Sequence, residues 1–197
     1  EIQYCDWSSD VCSSDLGIKG IEENADATAM WFIKNPQDYS VVVASNVFGD
    51  ILSDEASQLT GGLGFAPSGN IGEDTAIFEP SSGSVPKYAH QYKVNPSAML
   101  MTAKMMLEYL GLDAEGAKIE KAIGEVLVEN KPGTLTYDIL RDFRGDPNWE
   151  KNAVSTIDMA TAIAQKINPD FKGEKLEAAK AKVKEMCDWK KTIGFGK

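Results

Sequence analysis

A short, continuously apolar run, Tyr-Ser-Val-Val-Val-Ala-Ser at residues 39–45, most restricts the folds open to this chain. Consecutive valines favour extended backbone, because β-branched side chains are stiff at χ1 and pack well in sheets. The run lacks the alternation of a strand with one solvent-facing side, so it predicts a strand buried on both faces of a parallel or mixed sheet. Helical spacing of apolar residues over 22–34 and 46–59 then predicts an α/β architecture.

Later segments continue this pattern with one short strand and several helices. The strand is predicted over residues 75–78, inside a stretch rich in glycine and proline that runs from 61 to 96. Because long ordered loops inside compact domains usually carry function, that stretch is a candidate site. Helices are predicted at about 97–110, 113–130, 154–167 and 173–191.

Composition restricts the classes of function. A net charge of −10, from 30 acids against 20 bases, argues against binding to nucleic acid or to a membrane surface. No apolar run approaches the length of a membrane-spanning helix, and the N-terminus does not resemble a signal peptide. Three cysteines form no disulfide framework, and with a single histidine the chain has few thiolate or imidazole ligands for a metal. We therefore expect a cytoplasmic protein that binds any metal through carboxylates.

Asp50 and Asp54 are the candidate metal ligands. They are four residues apart in a predicted helix, so their side chains project from one face, about one turn apart. Two carboxylates so placed repel unless a cation lies between them, and their oxygens suit Mg²⁺ or Mn²⁺. The alternative is that both are acids of the first helical turn that the helix dipole favours, with no further role.

Two longer motifs resemble the signature of the isocitrate/isopropylmalate dehydrogenase family. They are Asn-Val-Phe-Gly-Asp-Ile-Leu-Ser-Asp-Glu-Ala at 46–56 and Gly-Gly-Leu-Gly-Phe-Ala-Pro-Ser-Gly-Asn-Ile-Gly at 61–72. The resemblance implies that Asp50 and Asp54 bind Mg²⁺ or Mn²⁺, and that Asp26 of a second subunit is a third ligand. It therefore also implies a homodimer with shared active sites and a small-molecule 2-hydroxy acid as substrate.

The loop from residue 79 to residue 96 resembles the family's nucleotide-binding loop. Its residues predicted to bind the cofactor are Glu79, Ser82, Gly83, Lys87, Tyr88 and Asn95. Where NAD-linked members carry an acid, this chain has Lys87, which would attract a 2′-phosphate that an acid would repel. The family usually has histidine at the position of Ser82, and serine offers no ring to stack on adenine.

Tyr137 and Arg141 are further candidates for the cofactor site. They lie four residues apart, so in a helix a phenol and a guanidinium would share one face and could meet one phosphate. The same pair occurs in the NADP-linked bacterial members of the family that the chain resembles. The alternative is that Tyr137 packs in the interior and Arg141 is a solvated surface residue. Together with Lys87, the pair favours NADP over NAD.

The resemblance implies an α/β fold of the isopropylmalate dehydrogenase type, a mixed sheet flanked by helices, incomplete because the N-terminal half is missing. Residues 17–168 are then the C-terminal part of that domain, and 169–197 a charged helical extension. Residues 1–16 are predicted to be non-native or disordered, because they lack both helical and strand periodicity and are rich in serine and aspartate.

The implied activity is NADP-linked, Mg²⁺- or Mn²⁺-dependent oxidative decarboxylation of isocitrate. The family's substrate-binding arginines and proton-transfer residues precede the matched region, so no catalytic residue is predicted here and the chain alone is expected to be inactive. Dehydrogenases of 3-isopropylmalate, homoisocitrate or tartrate are alternatives within the class. A non-catalytic regulatory homologue, with Ser82 marking a degenerate cofactor site, is the alternative from another class.

Overall fold

The computed structural model describes residues 20–192, and the chain divides into two compact units between Gly62 and Leu63. The segment 1–16, predicted to be non-native or disordered, lies outside the described residues. The predicted limit of the dehydrogenase domain at residue 168 stays a prediction. None of the helices within residues 20–192 is long and apolar enough to cross a lipid bilayer.

The N-terminal unit contains two helices, α1 over Ala25–Lys34 and α2 over Asn46–Leu59, with a 3₁₀ turn at Pro36–Asp38 between them. Both helices lie where apolar spacing predicts them, and α1 ends just before Pro36, which disfavours helical backbone in the residue that precedes it. Phe32 is buried and meets the ring of Tyr39 edge-on, with centroids 4.7 Å apart. The two helices pack against each other.

The prediction of a buried strand over residues 39–45 is wrong. The segment forms no strand, and Val41 and Val43 are 84% and 66% exposed. An extended segment becomes a strand only when a neighbouring strand satisfies its backbone hydrogen bonds, and the described part of this unit contains no other strand. Valine still favours extended backbone here, but the described part of this unit has no neighbouring strand with which residues 41–43 could form hydrogen bonds.

The C-terminal unit begins with an antiparallel hairpin of β1, Pro67–Ile71, and β2, Ala76–Pro80, in which Gly69 pairs with Phe78. The strand predicted at 75–78 is therefore confirmed as part of β2. A side chain at Gly69 would not fit without a shift of its neighbours, because a Cβ there would lie 3.2 Å from both the sulfur of Met105 and the ring of Phe78. The hairpin thus packs closely onto the helix that carries Met105.

The described part of this unit contains five helices, four of which confirm the predicted segments within a few residues, whereas the short helix at Trp149–Asn152 was not predicted. They are α3 (Ser97–Tyr109), α4 (Asp113–Glu129), α5 (Trp149–Asn152), α6 (Thr156–Ile167) and α7 (Glu174–Thr192). A π-helical turn at Ile139–Phe143 lies between α4 and α5.

The core of the C-terminal unit lies between α4, α6 and the segment 135–140. Its buried side chains are Ala122, Ile123, Val126, Leu135, Ile139, Leu140, Met159 and Ile163. A capping box fixes the start of α6, where the Ser155 side chain accepts from the Asp158 backbone N–H and the Asp158 carboxylate accepts from the Ser155 backbone N–H. This fixed start also anchors the loop that precedes α3, as described below.

Candidate nucleotide site and acidic helix

Three aromatic rings from separate segments of the C-terminal unit lie against one another. The Tyr88 and Tyr137 rings meet edge-on with centroids 5.4 Å apart, and the Trp149 ring lies 6.1 Å from that of Tyr137. Tyr88 follows the glycine-rich loop, Tyr137 precedes the π-helical turn, and Trp149 begins α5. The first two were predicted to lie in one site, and the structure places them in contact.

Two cations lie over this aromatic cluster. The Nζ of Lys87 is 5.4 Å from the centroid of the Tyr88 ring, and the Cζ of Arg141 is 5.3 Å from that of Tyr137. Arg141 is also 5.8 Å from the Trp149 ring, so its guanidinium lies near two aromatic faces. Tyr137 and Arg141 are therefore close together as predicted, and each of the two contacting tyrosine rings has a positive charge near it.

A groove of about 480 Å³ opens beside the cluster. The residues that line it are Tyr88, Gln91, Tyr92, Lys93, Tyr137, Trp149, Glu150, Ala153, Val154 and Ser155. Flat aromatic rings with a few polar groups at the edge are typical of pockets for flat, polar small molecules such as nucleotides. Trp149 could not be predicted as part of this groove, because a single tryptophan outside any motif gives no indication of which surface it lines.

Tyr137 keeps its proton far above neutral pH. Partial burial, and then hydrogen bonding with Tyr88, raise the pKa of Tyr137 from its ordinary 10.0 to about 12. Its hydroxyl is therefore a hydrogen-bond donor at neutral pH, and a donor rather than an oxyanion is what an incoming phosphate requires. The neighbouring Asp142 carboxylate, hydrogen bonded to the Arg141 guanidinium, raises the pKa of Arg141, which stays charged.

The raised pKa of Tyr137 predicts a late alkaline titration. In the folded chain, absorbance at 295 nm should differ little between wild type and Tyr137→Phe near pH 10, and the difference should appear as pH approaches 12. Because the folded-state pKa is raised, the stability that the shift contributes is present below about pH 10 and is lost as pH rises through about 12.

Circular dichroism at each pH would confirm that the chain is still folded during this titration. Tyr39→Phe is the matched comparison, since hydrogen bonding to Glu23 also raises the pKa of Tyr39 to about 12. A difference spectrum for Tyr137→Phe that is already half developed at pH 10 would contradict the burial of Tyr137.

Asn95, another predicted cofactor residue, is buried and held by a hydrogen-bond network. Its Nδ2 donates to Asp138 Oδ2 at 2.9 Å, and its Oδ1 accepts from the Ser97 backbone N–H at 2.9 Å. Thr136 Oγ1 donates to the other oxygen of the same carboxylate at 2.6 Å. The amide of Asn95 is therefore fixed in one orientation by Asp138, which sequence analysis did not single out.

The glycine-rich motif also contributes to this network. A Cβ at Gly64 would lie 3.2 Å from Asp138 Oδ2 and 3.4 Å from Asn95 Nδ2, so any larger residue would push on both. The Gly64 carbonyl accepts from the Ala98 backbone N–H at 2.8 Å, which joins the loop to the start of α3. One glycine of the 61–72 motif is thus required by the packing of the network that holds Asn95.

The loop between Gly83 and Tyr92 has an unusual backbone. Val85, His90 and Tyr92 all have positive φ, at 40°, 61° and 52°, a conformation that is costly for side chains other than glycine and most of all for a β-branched one. Such conformations persist where the surroundings fix them. Here Thr156 at the start of α6 fixes the loop, since its N–H donates to the Tyr92 carbonyl at 2.7 Å.

Glu79, Ser82 and Gly83 lie before this loop, and the structure does not join them to the aromatic cluster. Glu79 is exposed on β2, where it pairs with Ser68 of β1. Ser82 is half-buried and Gly83 exposed, with open space where a Cβ would be. Within the described residues none of the three has a side-chain hydrogen bond or ion pair to the cluster, so their roles at the cofactor stay predictions.

The candidate metal ligands lie in the N-terminal unit. Asp50 and Asp54 are exposed one turn apart on α2, and Asp26 is exposed on α1, where its Oδ1 accepts from the next backbone N–H at 2.9 Å. Among residues 20–192 no three acidic, histidine or cysteine side chains converge on one point. Asp26 is expected to act on the site of a second subunit, and such a ligand would not join the pair within one chain.

Comparisons with known proteins match most of the chain to one family. A family model described as isocitrate/isopropylmalate dehydrogenase matches residues 9–163. The 3-isopropylmalate dehydrogenase of Methanothermobacter thermautotrophicus is 44% identical over 155 residues, which are 79% of this chain and 43% of that protein. The isocitrate dehydrogenase [NADP] of Thermus thermophilus is 45% identical over 133 residues, which are 68% of this chain and 26% of that protein.

Solved structures agree with this match. The crystal structure of isocitrate dehydrogenase from Methylococcus capsulatus has a TM-score of 0.72 and 35% identity, over 82% of this chain and 44% of that chain. The chain belongs to the isocitrate/isopropylmalate dehydrogenase family, and the predicted α/β fold class of that family is confirmed. The chain spans less than half the length of each of these relatives.

The residues present fit both groups that the family implies. For the nucleotide, Lys87 and Arg141 supply charge beside stacking surfaces, and the buried Asn95 supplies a fixed amide. For a divalent metal, Asp50 and Asp54 supply two hard oxygen donors, which leaves most of an octahedral shell for water, substrate and a second subunit.

Proposed function

We propose that this chain is the nucleotide- and metal-binding part of an NADP-linked oxidative decarboxylase of isocitrate that depends on Mg²⁺ or Mn²⁺. The observation that carries the proposal is the pair of cations, Lys87 and Arg141, on the contacting rings of Tyr88 and Tyr137. An aromatic surface with two positive charges suits an adenosine that bears an extra phosphate on its ribose.

Each residue has a role that follows from its chemistry. Lys87 and Arg141 would bind the 2′-phosphate, and the protonated hydroxyl of Tyr137 would donate a hydrogen bond to it. Asn95, fixed by Asp138, would hold the end of the nucleotide-binding loop in one conformation beside the adenosine end, so that little order has to be gained on binding. The pocket is therefore organised before the ligand arrives.

The metal site would lie on α2. Asp50 and Asp54 would hold the ion, and Asp26 of a second subunit would complete the protein ligands of a homodimer. When bound, such an ion supplies Lewis-acid stabilisation of negative charge on the oxygens of a 2-hydroxy acid. The chain's own part is to hold two carboxylates one helical turn apart on a surface that substrate can reach.

The substrate is proposed from the names of the relatives and from the cofactor preference. One relative is named for 3-isopropylmalate and another for isocitrate with NADP. The cation pair favours isocitrate only through the NADP preference that we propose, because the second relative is named for isocitrate and NADP together. Dehydrogenases of 3-isopropylmalate, homoisocitrate or tartrate stay alternatives, as does a regulatory homologue, and a cytoplasmic location is likewise proposed.

Calorimetric titration of the 197-residue chain with NADP⁺ and NAD⁺ tests the proposal. We expect NADP⁺ to bind at least about tenfold more tightly, because two charge-assisted contacts to the 2′-phosphate are made only by NADP⁺. The variants Lys87→Gln and Arg141→Gln should each reduce that preference. Lys118→Gln, which removes an exposed lysine paired with Glu115 at 2.7 Å, is the matched control and should leave it unchanged.

Equal affinity for the two nucleotides would contradict the NADP assignment, and very weak binding of both would favour the regulatory homologue. With isocitrate, NADP⁺ and Mg²⁺ present, we expect the chain alone to give no NADPH above background. Turnover by the chain would show that it contains catalytic residues that sequence analysis did not find.

A further inference from the structure

Arg141 does not present a free guanidinium to the groove. Its Nε donates to Asp142 Oδ1 at 2.5 Å and its Nη2 donates to Asp142 Oδ2 at 2.8 Å. Both side chains are substantially exposed, at 46% and 42%. One edge of the planar guanidinium is thus occupied by a carboxylate of the adjacent residue, beside the rings of Tyr137 and Trp149.

This pair contributes little to the stability of the fold. Exposed ion pairs are screened by water and salt, and they stabilise folded proteins weakly. Besides the pair, the guanidinium has two aromatic rings as neighbours, those of Tyr137 and Trp149. The main effect of the pair is on charge, since Asp142 cancels one of the two positive charges, those of Lys87 and Arg141, that lie over the aromatic cluster.

We infer that Asp142 is a specificity-determining residue that lowers the affinity of this site for 2′-phosphorylated nucleotides. The inference rests on the proposed NADP site. A 2′-phosphate carries up to two negative charges and binds a guanidinium through pairs of N–H donors, and one such pair, Nε and Nη2 of Arg141, is already taken by Asp142. Phosphate and carboxylate therefore compete for Arg141, and the carboxylate also repels the phosphate. A nucleotide without the 2′-phosphate meets neither effect.

The substitution Asp142→Asn tests this inference, with adenosine 2′,5′-bisphosphate and 5′-AMP as the probes. We expect the variant to bind the bisphosphate about three- to tenfold more tightly than wild type, the range expected when one exposed charge beside the site is removed. Its affinity for 5′-AMP should change less than about twofold, because that ligand has no phosphate near Arg141. Raising the salt concentration should shrink the gain.

Two controls separate this effect from a general change of charge. Asp142→Glu keeps the negative charge and should bind both probes nearly as wild type does. Glu115→Gln removes an acid from another exposed ion pair, that with Lys118, and should change neither affinity.

The outcomes distinguish the inference from the proposed function. If wild type prefers the bisphosphate and Asp142→Asn has the same preference, the inference is overturned and the NADP site stands. If only the variant binds the bisphosphate, the inference is supported in its strongest form. If neither protein binds either probe, the nucleotide site itself is overturned, and the inference with it.

Discussion

Replacing Asp138 with alanine is expected to lower the free energy of unfolding of the chain by about 2–4 kcal/mol, because it leaves two buried donors without their acceptor. Those donors are Asn95 Nδ2 and Thr136 Oγ1, at 2.9 and 2.6 Å from the carboxylate oxygens. Asn95 is 6% exposed and Thr136 is 0% exposed, so water cannot readily replace the lost carboxylate, and Thr136 Oγ1 keeps only the Met159 sulfur, at 3.6 Å, as a weak acceptor. Urea denaturation measures the change.

The same substitution should weaken nucleotide binding. Without Asp138 the Asn95 amide loses the partner that fixes its orientation, while the contact of Asn95 Oδ1 with the Ser97 N–H remains. We expect NADP⁺ affinity to fall about tenfold, a typical loss when the partner that orients a binding residue is removed. Calorimetry in the absence of denaturant measures the affinity.

A second substitution tests whether orphaned donors cause the instability. Thr136→Val, introduced into the Asp138→Ala variant, removes one of the two donors and should recover about 1–2 kcal/mol of the lost stability. Asp170→Ala removes an exposed acid and should change stability by less than about 0.5 kcal/mol. A double variant no more stable than Asp138→Ala would mean that Asp138 acts through something other than these hydrogen bonds.

Much of this fold follows from local sequence. Apolar spacing predicts α2 over residues 46–59 and α3 near 97–110, and the structure has them at Asn46–Leu59 and Ser97–Tyr109. These helices have periodic apolar faces and clear ends, at glycines or after a proline, so nothing distant is needed to define them. The segment 39–45 is different, because a strand exists only through its neighbours, and Val41–Val43 have none among residues 20–62.

In the candidate nucleotide site, too, local contacts can be predicted from the sequence and contacts between remote segments cannot. The contact of Tyr137 with Arg141 is predictable, because the two residues are four apart and their proximity depends on one local turn. The positions of Trp149 and Asp138 are not, because each acquires its role from segments remote in sequence: Asp138 bonds Asn95 across 43 positions. Gly64 is predictable only in part, because a glycine in a motif indicates that another group lies close to the backbone but not that the group is Asp138 or Asn95.

The second large effect is expected for metal binding by the two aspartates of α2. In the double variant Asp50→Asn, Asp54→Asn we expect Mn²⁺ affinity to fall at least about a hundredfold, because both charged oxygen donors of one helical face are lost. The free Mn²⁺ signal in electron paramagnetic resonance measures it. Helicity should be unchanged, since both side chains are exposed and asparagine has the same shape.

The control for the metal site must remove the same charge elsewhere. Glu73→Gln with Asp74→Asn neutralises two exposed acids in the turn between β1 and β2, and it should leave Mn²⁺ binding unchanged. If both double variants bind Mn²⁺ as wild type does, Asp50 and Asp54 are solvated acids in the middle of α2 and not ligands.

Asp26→Asn then tests for the second subunit. A ligand donated across a dimer acts only when two chains meet, so this substitution should weaken Mn²⁺ binding at protein concentrations that give dimers and not at dilutions that give monomers. Asp50→Asn, Asp54→Asn should weaken it at both. A loss from Asp26→Asn that is the same at every protein concentration would place Asp26 on the metal of its own chain, against the shared site that the family resemblance implies.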